Sequence, residues 1–184
     1  MLEFGMKMPF SYSKFLMLCR EQLTEHDMGI IKRTGIEPCE DFEENSMALR
    51  EWKKFDIALR NEIVRVRASK KAEDPVKYIW GESYVNPYLA GSAQWAISQD
   101  SPIEAELSLD RLRWEKIEEL GRGHYFDIDY LITYTLKLQF LERWERINSG
   151  NGMEVLQGLL SRGSIYRTRY LDGLDESSPY IKER

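Results

Sequence analysis

Between Ser46 and Lys71 the apolar residues Ala48, Trp52, Phe55, Leu59, Ile63 and Val66 recur every three or four positions. That rhythm puts all six on one stripe of a long helix and leaves the other face to charge. A helix of this length with one apolar face cannot stand alone in water. It demands that the rest of the chain supply partners for that face.

The remaining segments read the same way. Phe15, Leu16, Leu18, Cys19 and Leu23 predict a short helix over Ser11–Leu23, and "TEHD" at Thr24–Asp27 caps a second that runs to Arg33, with Gly35 as its C-terminal cap. An acidic loop follows over residues 36–44. Asp74-Pro75 breaks the long helix, because the residue before proline is pushed out of helical geometry. Tyr78, Ile79 and Trp80 are expected to pin the next loop to the core. Asn86-Pro87 opens a short helix to Ser98. "SPIE" at Ser101–Glu104 is the strongest local signal: a serine cap, a proline at the first helical position and an acid three residues on. That helix carries Ile103, Leu107, Trp114 and Ile117 on its stripe, with Asp110 interrupting it, and ends at Gly121 and Gly123. Asp127 or Asp129 then caps a last long helix with Leu131, Thr135, Leu138 and Leu141 on its stripe and Trp144 beside it. A final short helix is expected over Met153–Ser161. The class is all-α, of about seven helices with short connections, so most neighbours should be antiparallel. Residues 1–163 form a single helical domain, and 164–184 a polar tail.

The totals restrict function. A net charge of −5 and a pI near 5.3 argue against dedicated binding to nucleic acid. No apolar run reaches the roughly 18 residues that span a bilayer, so no direct membrane insertion is expected. Cys19 and Cys39 make neither a zinc spacing nor a disulfide framework, which fits a reducing, cytoplasmic setting. His26 and His124 lack companions at metal-ligand spacing. No phosphate loop, dinucleotide fingerprint or nucleophile elbow occurs. The expectation is a non-enzyme with no cofactor and no metal.

Two features are unusual. Asp56 and Asp110 fall on or beside the apolar stripes of their helices, where an acid must be paired or its desolvation is costly. Arg60 lies four residues after Asp56 and Arg113 three after Asp110, so each acid has a helical neighbour for a structural ion pair. A joint between helices is the functional alternative. The second feature is a basic stretch, Arg60, Arg65, Arg67, Lys70 and Lys71. Ile63 and Val66 commit one side of the helix to the core, so Arg65 and the lysines should face out. The strip Asn61, Arg65, Arg67, Lys70 and Lys71 is the candidate partner surface, suited to a protein with acidic loops.

Phe55-Asp56-Ile57 and Phe126-Asp127-Ile128 repeat one tripeptide at the head of two long helical patterns. In this the chain resembles the C-type subunit of V/A-type ATPases (the d-type in eukaryotes), a family of repeated helical units that carry an Asp, an Asn three residues later and a following Lys or Arg. The first unit, "FDIALRNEIVRVRA", keeps Asn61 and the arginines with Ala58 in place of the acid. The second, "FDIDYLITYTLKL", keeps Asp129 and Lys137 with Ile132 in place of the Asn. A closer resemblance is to a bacterial family encoded beside V-type ATPase genes. Four stretches carry it: Pro9–Cys19, Trp52–Ala68, Ile103–Leu131 and Leu136–Ile147. Members of that family begin with an additional apolar stretch ending in Leu-Pro, so the N-terminus is expected to be incomplete.

The resemblance implies the fold of that C-type family, with repeat units over 11–98 and 101–161, in which Asp56, Asp110 and Asp129 are buried structural acids. It implies a non-catalytic, V/A-type ATPase-associated subunit at the junction of central stalk and rotor ring, which couples rotation to ion transport. Its partners would be stalk subunits, the membrane rotor ring or both, and its place the inner face of the membrane, held there through the complex. An assembly or regulatory factor of that complex, or a generic helical binding module, is the alternative.

Overall fold

The structure is a computed structural model and describes residues 2–37, 46–81 and 86–149. Among these residues there are six α-helices, one 3-10 helix and no strand. They are α1 Tyr12–Gln22, α2 Glu25–Arg33, α3 Met47–Lys71, a 3-10 turn Pro75–Tyr78, α4 Pro87–Ile97, α5 Pro102–Leu120 and α6 Ile128–Asn148. The short helix expected over Met153–Ser161, Cys39, most of the acidic loop and the tail lie outside the described residues. The chain divides into two compact units, Met1–Glu142 and Arg143–Arg184. Of the second, only the end of α6, with the buried Trp144, is described.

Each helix begins on a short polar side chain that accepts from a free backbone N–H of the first turn. Ser11 accepts from Lys14, Thr24 from Asp27, Ser46 from Leu49, Asn86 from Tyr88 and Leu89, and Ser101 from Glu104. At the start of α6 the choice falls on Asp127, whose carboxylate accepts from the Tyr130 N–H at 2.9 Å. Proline occupies the first position of α4 and α5, where its missing N–H costs nothing.

Two apolar clusters fill the first unit. The larger joins α1, α2, the first half of α3, the second half of α5 and α6 around Ile31, Leu49, Trp52, Ile117, Leu136 and Phe140. The smaller joins the second half of α3 to α4 and the first half of α5, through Leu59, Ile63, Leu89, Ala93, Ala96 and Leu109. Small residues on α4 let it lie close against α3, its main neighbour. Leu131, expected on the α6 stripe, is half-buried, while Thr135, Leu138 and Leu141 are buried.

Four local expectations fail for identifiable reasons. Gly35 does not cap α2. Thr34 does, with its hydroxyl donating to the Ile30 carbonyl, and the chain then runs on under three side-chain clamps. Trp52 Nε1 donates to the Gly35 carbonyl, Arg60 to the Ile36 carbonyl, and Gln139 brackets the segment by donating to Thr34 and accepting from Ile36. Tyr78 and Trp80 are exposed, because the 3-10 turn after Asp74 keeps this stretch on the surface. Ile103 is exposed too, since the buried face of α5 begins only at Leu109. Finally, the repeated tripeptide does not occupy equivalent positions. Phe55-Asp56-Ile57 lies inside α3 with Asp56 buried, whereas Phe126 and Asp127 precede the first turn of α6 and are exposed.

Candidate functional site

Between the two apolar clusters, where α3 crosses α5, lies a seam of charge. Asp56 Oδ1 accepts from Arg113 Nε at 2.9 Å and its Oδ2 from Arg60 Nε at 2.6 Å. Arg113 also donates through Nη1 to Asp110 Oδ1 at 2.8 Å. Asp110 is fully buried and Asp56 and Arg113 nearly so, while Arg60 reaches solvent. In these four groups two carboxylates face two guanidiniums, so their charges balance. Burial works against the Arg113 charge, but Asp56 and Asp110 outweigh it and hold its pKa above the ordinary arginine value. A guanidinium so held gives up no proton. The arrangement joins α3 to α5 through paired charges.

The third acid, Asp129, is half-buried rather than buried. It accepts from Ser46 Oγ at 2.6 Å, and the same hydroxyl accepts from Leu49 N–H. One serine thus ties the beginning of α6 to the beginning of α3.

The proposed strip along α3 is divided by the structure. Asn61 does not face a partner: it is buried, and its amide clamps the backbone of Trp80, donating to the carbonyl at 2.8 Å and accepting from the N–H at 3.0 Å. Arg65 does not face freely outward either. Its side chain is mostly covered and donates at 2.7 Å to the buried Glu62, which also accepts from Asn86 N–H. The cause is a loop segment that meets this flank of α3 at Trp80, with the Asn86 N–H meeting the same flank at Glu62. A loop of that kind leaves no periodic signal, so sequence alone could not place it. Arg67, Lys70 and Lys71 are exposed. Lys70 Nζ donates to the Ile97 carbonyl at 2.9 Å, a cation on the C-terminal end of α4 that complements its dipole.

Two further groups escaped sequence reading because their partners are distant in sequence or lie in a turn. Glu118 Oε1 accepts from both Lys137 Nζ and Trp114 Nε1, each at 3.2 Å, with the ammonium 5.1 Å from the Trp114 ring centroid. His124 Nδ1 stands 2.6 Å from Asp127 Oδ2. This contact raises the His124 pKa and lowers that of Asp127, which is also held down by the Tyr130 N–H. Burial pushes the Cys19 thiol up, away from reactive thiolate. Among the described residues no group of three or more His, Cys, Asp or Glu is placed to hold a metal ion, and no helix is long and apolar enough to cross a membrane.

Residues 92–163 match a family model described as a protein of unknown function, DUF2764. The match takes in the end of α4 and all of α5 and α6. No curated protein and no solved structure gives a match.

Proposed function

We propose that the chain is a non-catalytic helical subunit of a V/A-type ATPase, seated at the junction of central stalk and rotor ring. The observation that carries this reading is the set of four sequence stretches that resemble the family encoded beside V-type ATPase genes. The geometry supports it in one respect. Side chains from two of those stretches, Asp56 and Arg60 of one and Asp110 and Arg113 of the other, meet in one buried joint between long helices. A balanced, fully hydrogen-bonded joint of this kind resists sliding of one helix along another, as a part that transmits torque requires.

On this reading the docking surface is the exposed basic end of α3, reduced to Arg67, Lys70 and Lys71. It would steer an acidic partner and set its orientation more than it would add affinity. The test is affinity purification of the tagged chain from its native cell. Wild type is expected to bring down V-type ATPase subunits, with a yield that falls as salt rises, since exposed charges are screened over about 8 Å at physiological ionic strength. Arg67→Glu with Lys71→Glu should abolish that recovery while the melting temperature stays put. Arg65 is unsuitable for the test, because its reversal would strand the buried Glu62. Continued recovery of the double variant rejects the surface; no recovery with wild type rejects the stalk reading.

A further inference from the structure

The turn between α5 and α6 presents aromatic side chains to water in an arrangement that the basic end of α3 does not account for. Tyr125 is 67% exposed and Phe126 103%, as open as a side chain can be. Gly121 brings this turn tight against α6, since a Cβ there would stand 3.2 Å from Thr133 Oγ1. Gly123, at φ +85°, then reverses the chain in a conformation that other residues resist. The two aromatics are therefore held out by the backbone.

Both also line a cavity of about 550 Å³ between the end of α5 and α6. Its walls include Ile117, Tyr130 and Tyr134, and Lys137 lines it from within. Lys137 is nearly buried, and an ammonium has three N–H donors; one reaches Glu118. Arg122 and His124 also line the cavity, and Glu118 is the one carboxylate in its lining. His124 is engaged by Asp127, so the balance at the mouth rests on Arg122 and Lys137 against Glu118. An acidic chain thus carries a concave, aromatic-walled site of net positive charge.

We propose that this cavity receives a short segment of a partner protein in which a carboxylate adjoins an aromatic or branched aliphatic side chain. The carboxylate meets Lys137 and Arg122, and the apolar group lies on Tyr130 and Tyr134. Tyr125 and Phe126 close over the segment from outside. Buried aromatic anchors beside a cation are the usual composition of interface hot spots. A small metabolite held in the cavity could touch Phe126, which lines it, but would leave most of that ring, 103% exposed, in water. A flat anionic membrane would cover Phe126 but not reach Lys137. A peptide satisfies both. This site is separate from the end of α3 and does not depend on the stalk reading.

The test is selection of a displayed random peptide library on the full-length chain, with affinities then measured by fluorescence polarisation of synthetic copies. Enriched peptides should pair Asp, Glu or a free C-terminus with a neighbouring Phe, Trp or Leu. Their binding should shift the Trp114 Nε1–H resonance. Lys137→Met should weaken it by about tenfold, the scale of one charge-assisted hydrogen bond. Because Lys137 is buried and its replacement could disturb packing, Phe126→Ser serves as the second variant. Phe126 touches little in the free protein, so its loss should weaken binding without moving the melting temperature. Arg67→Glu should change nothing. The proposal is overturned if no peptide is enriched, if enriched peptides lack an acid, or if both variants bind as wild type does. Loss of binding to phosphatidylserine vesicles in Phe126→Ser, with no peptide enriched, would assign the loop to a membrane surface instead.

Discussion

Asp56 accepts from two arginines on two helices, and this decides what its removal does. In Asp56→Ala, Arg60 keeps the Ile36 carbonyl and its access to water. Arg113 has no such outlet. It stays buried with Asp110 alone, one of its two strong acceptors gone. Stranding part of a buried charge is the expensive way to break an ion pair, so Asp56→Ala should destabilise by about 3 kcal/mol. A shift of the urea midpoint with unchanged slope is the expected reading, and a wild-type midpoint would contradict the geometry. The comparison with Asn61 is instructive. Both are polar residues on the flank of an apolar stripe, yet one serves helix–helix contact and the other holds a surface segment by its backbone. Sequence showed the acid's helical partner, because Arg60 is one turn away. It could not show that Asn61 serves Trp80, because that contact depends on where a loop returns.

Helix boundaries were the most legible elements, and the physical reason is local. A cap needs one side chain at a fixed offset from the first turn, so Thr24, Ser46, Asn86 and Ser101 announce themselves in the chain. The end of α3 obeys a different signal. The helix stops at Ala72, which adopts φ +54° and sends its N–H back to the Ala68 and Ser69 carbonyls, while Glu73 N–H bonds Ala68 at 3.0 Å. Glycine normally fills this left-handed position, and alanine there carries a steric cost. Nothing in the letters "KKAED" marks it, and Asp74-Pro75 drew attention to the residues just beyond. Ala72→Gly should therefore stabilise the protein by about 1 kcal/mol, the relief of the left-handed strain less the added freedom of the unfolded chain. Thermal and urea unfolding of the two proteins checks the sign. A loss of stability would mean that the end of α3 is held by something other than this turn. The repeated Phe-Asp-Ile marks the opposite limit. Identical letters occupy the interior of one helix and the threshold of another, so identity over three residues did not fix equivalent structure.

At the scale of the whole first unit, two apolar clusters are stacked along α3 and α5 with the charged seam between them. On α3 the order runs Trp52, Asp56, Leu59; on α5 it runs Leu109, Asp110, Arg113, Trp114. Phe55 packs against both clusters and bridges them at the seam. Burial of apolar area supplies the bulk of the stability on either side, and it is indifferent to small slips of one helix along the other. The seam is not, because each bond in it requires a specific pair of atoms. The inference is that Asp56, Asp110 and Arg113 fix the register of α3 on α5 more than they add stability. A triple replacement separates these roles. Each single loss strands a buried charge, and three costs of about 3 kcal/mol would together be comparable to the whole stability of a typical small domain. Replacing all three at once, as Asp56→Leu, Asp110→Leu and Arg113→Met, removes the charges together and joins the two apolar clusters. Such exchanges are commonly neutral or stabilising by about 1–4 kcal/mol, so the triple variant should unfold at or above the wild-type midpoint although Asp56→Ala alone unfolds well below it. Its loss should appear instead as broadened amide resonances along α3 and α5, the mark of more than one register. If the three costs add and the triple variant is unfolded, the seam is a source of stability in its own right. If the triple variant is stable with resonances as sharp as wild type, apolar packing alone sets the register.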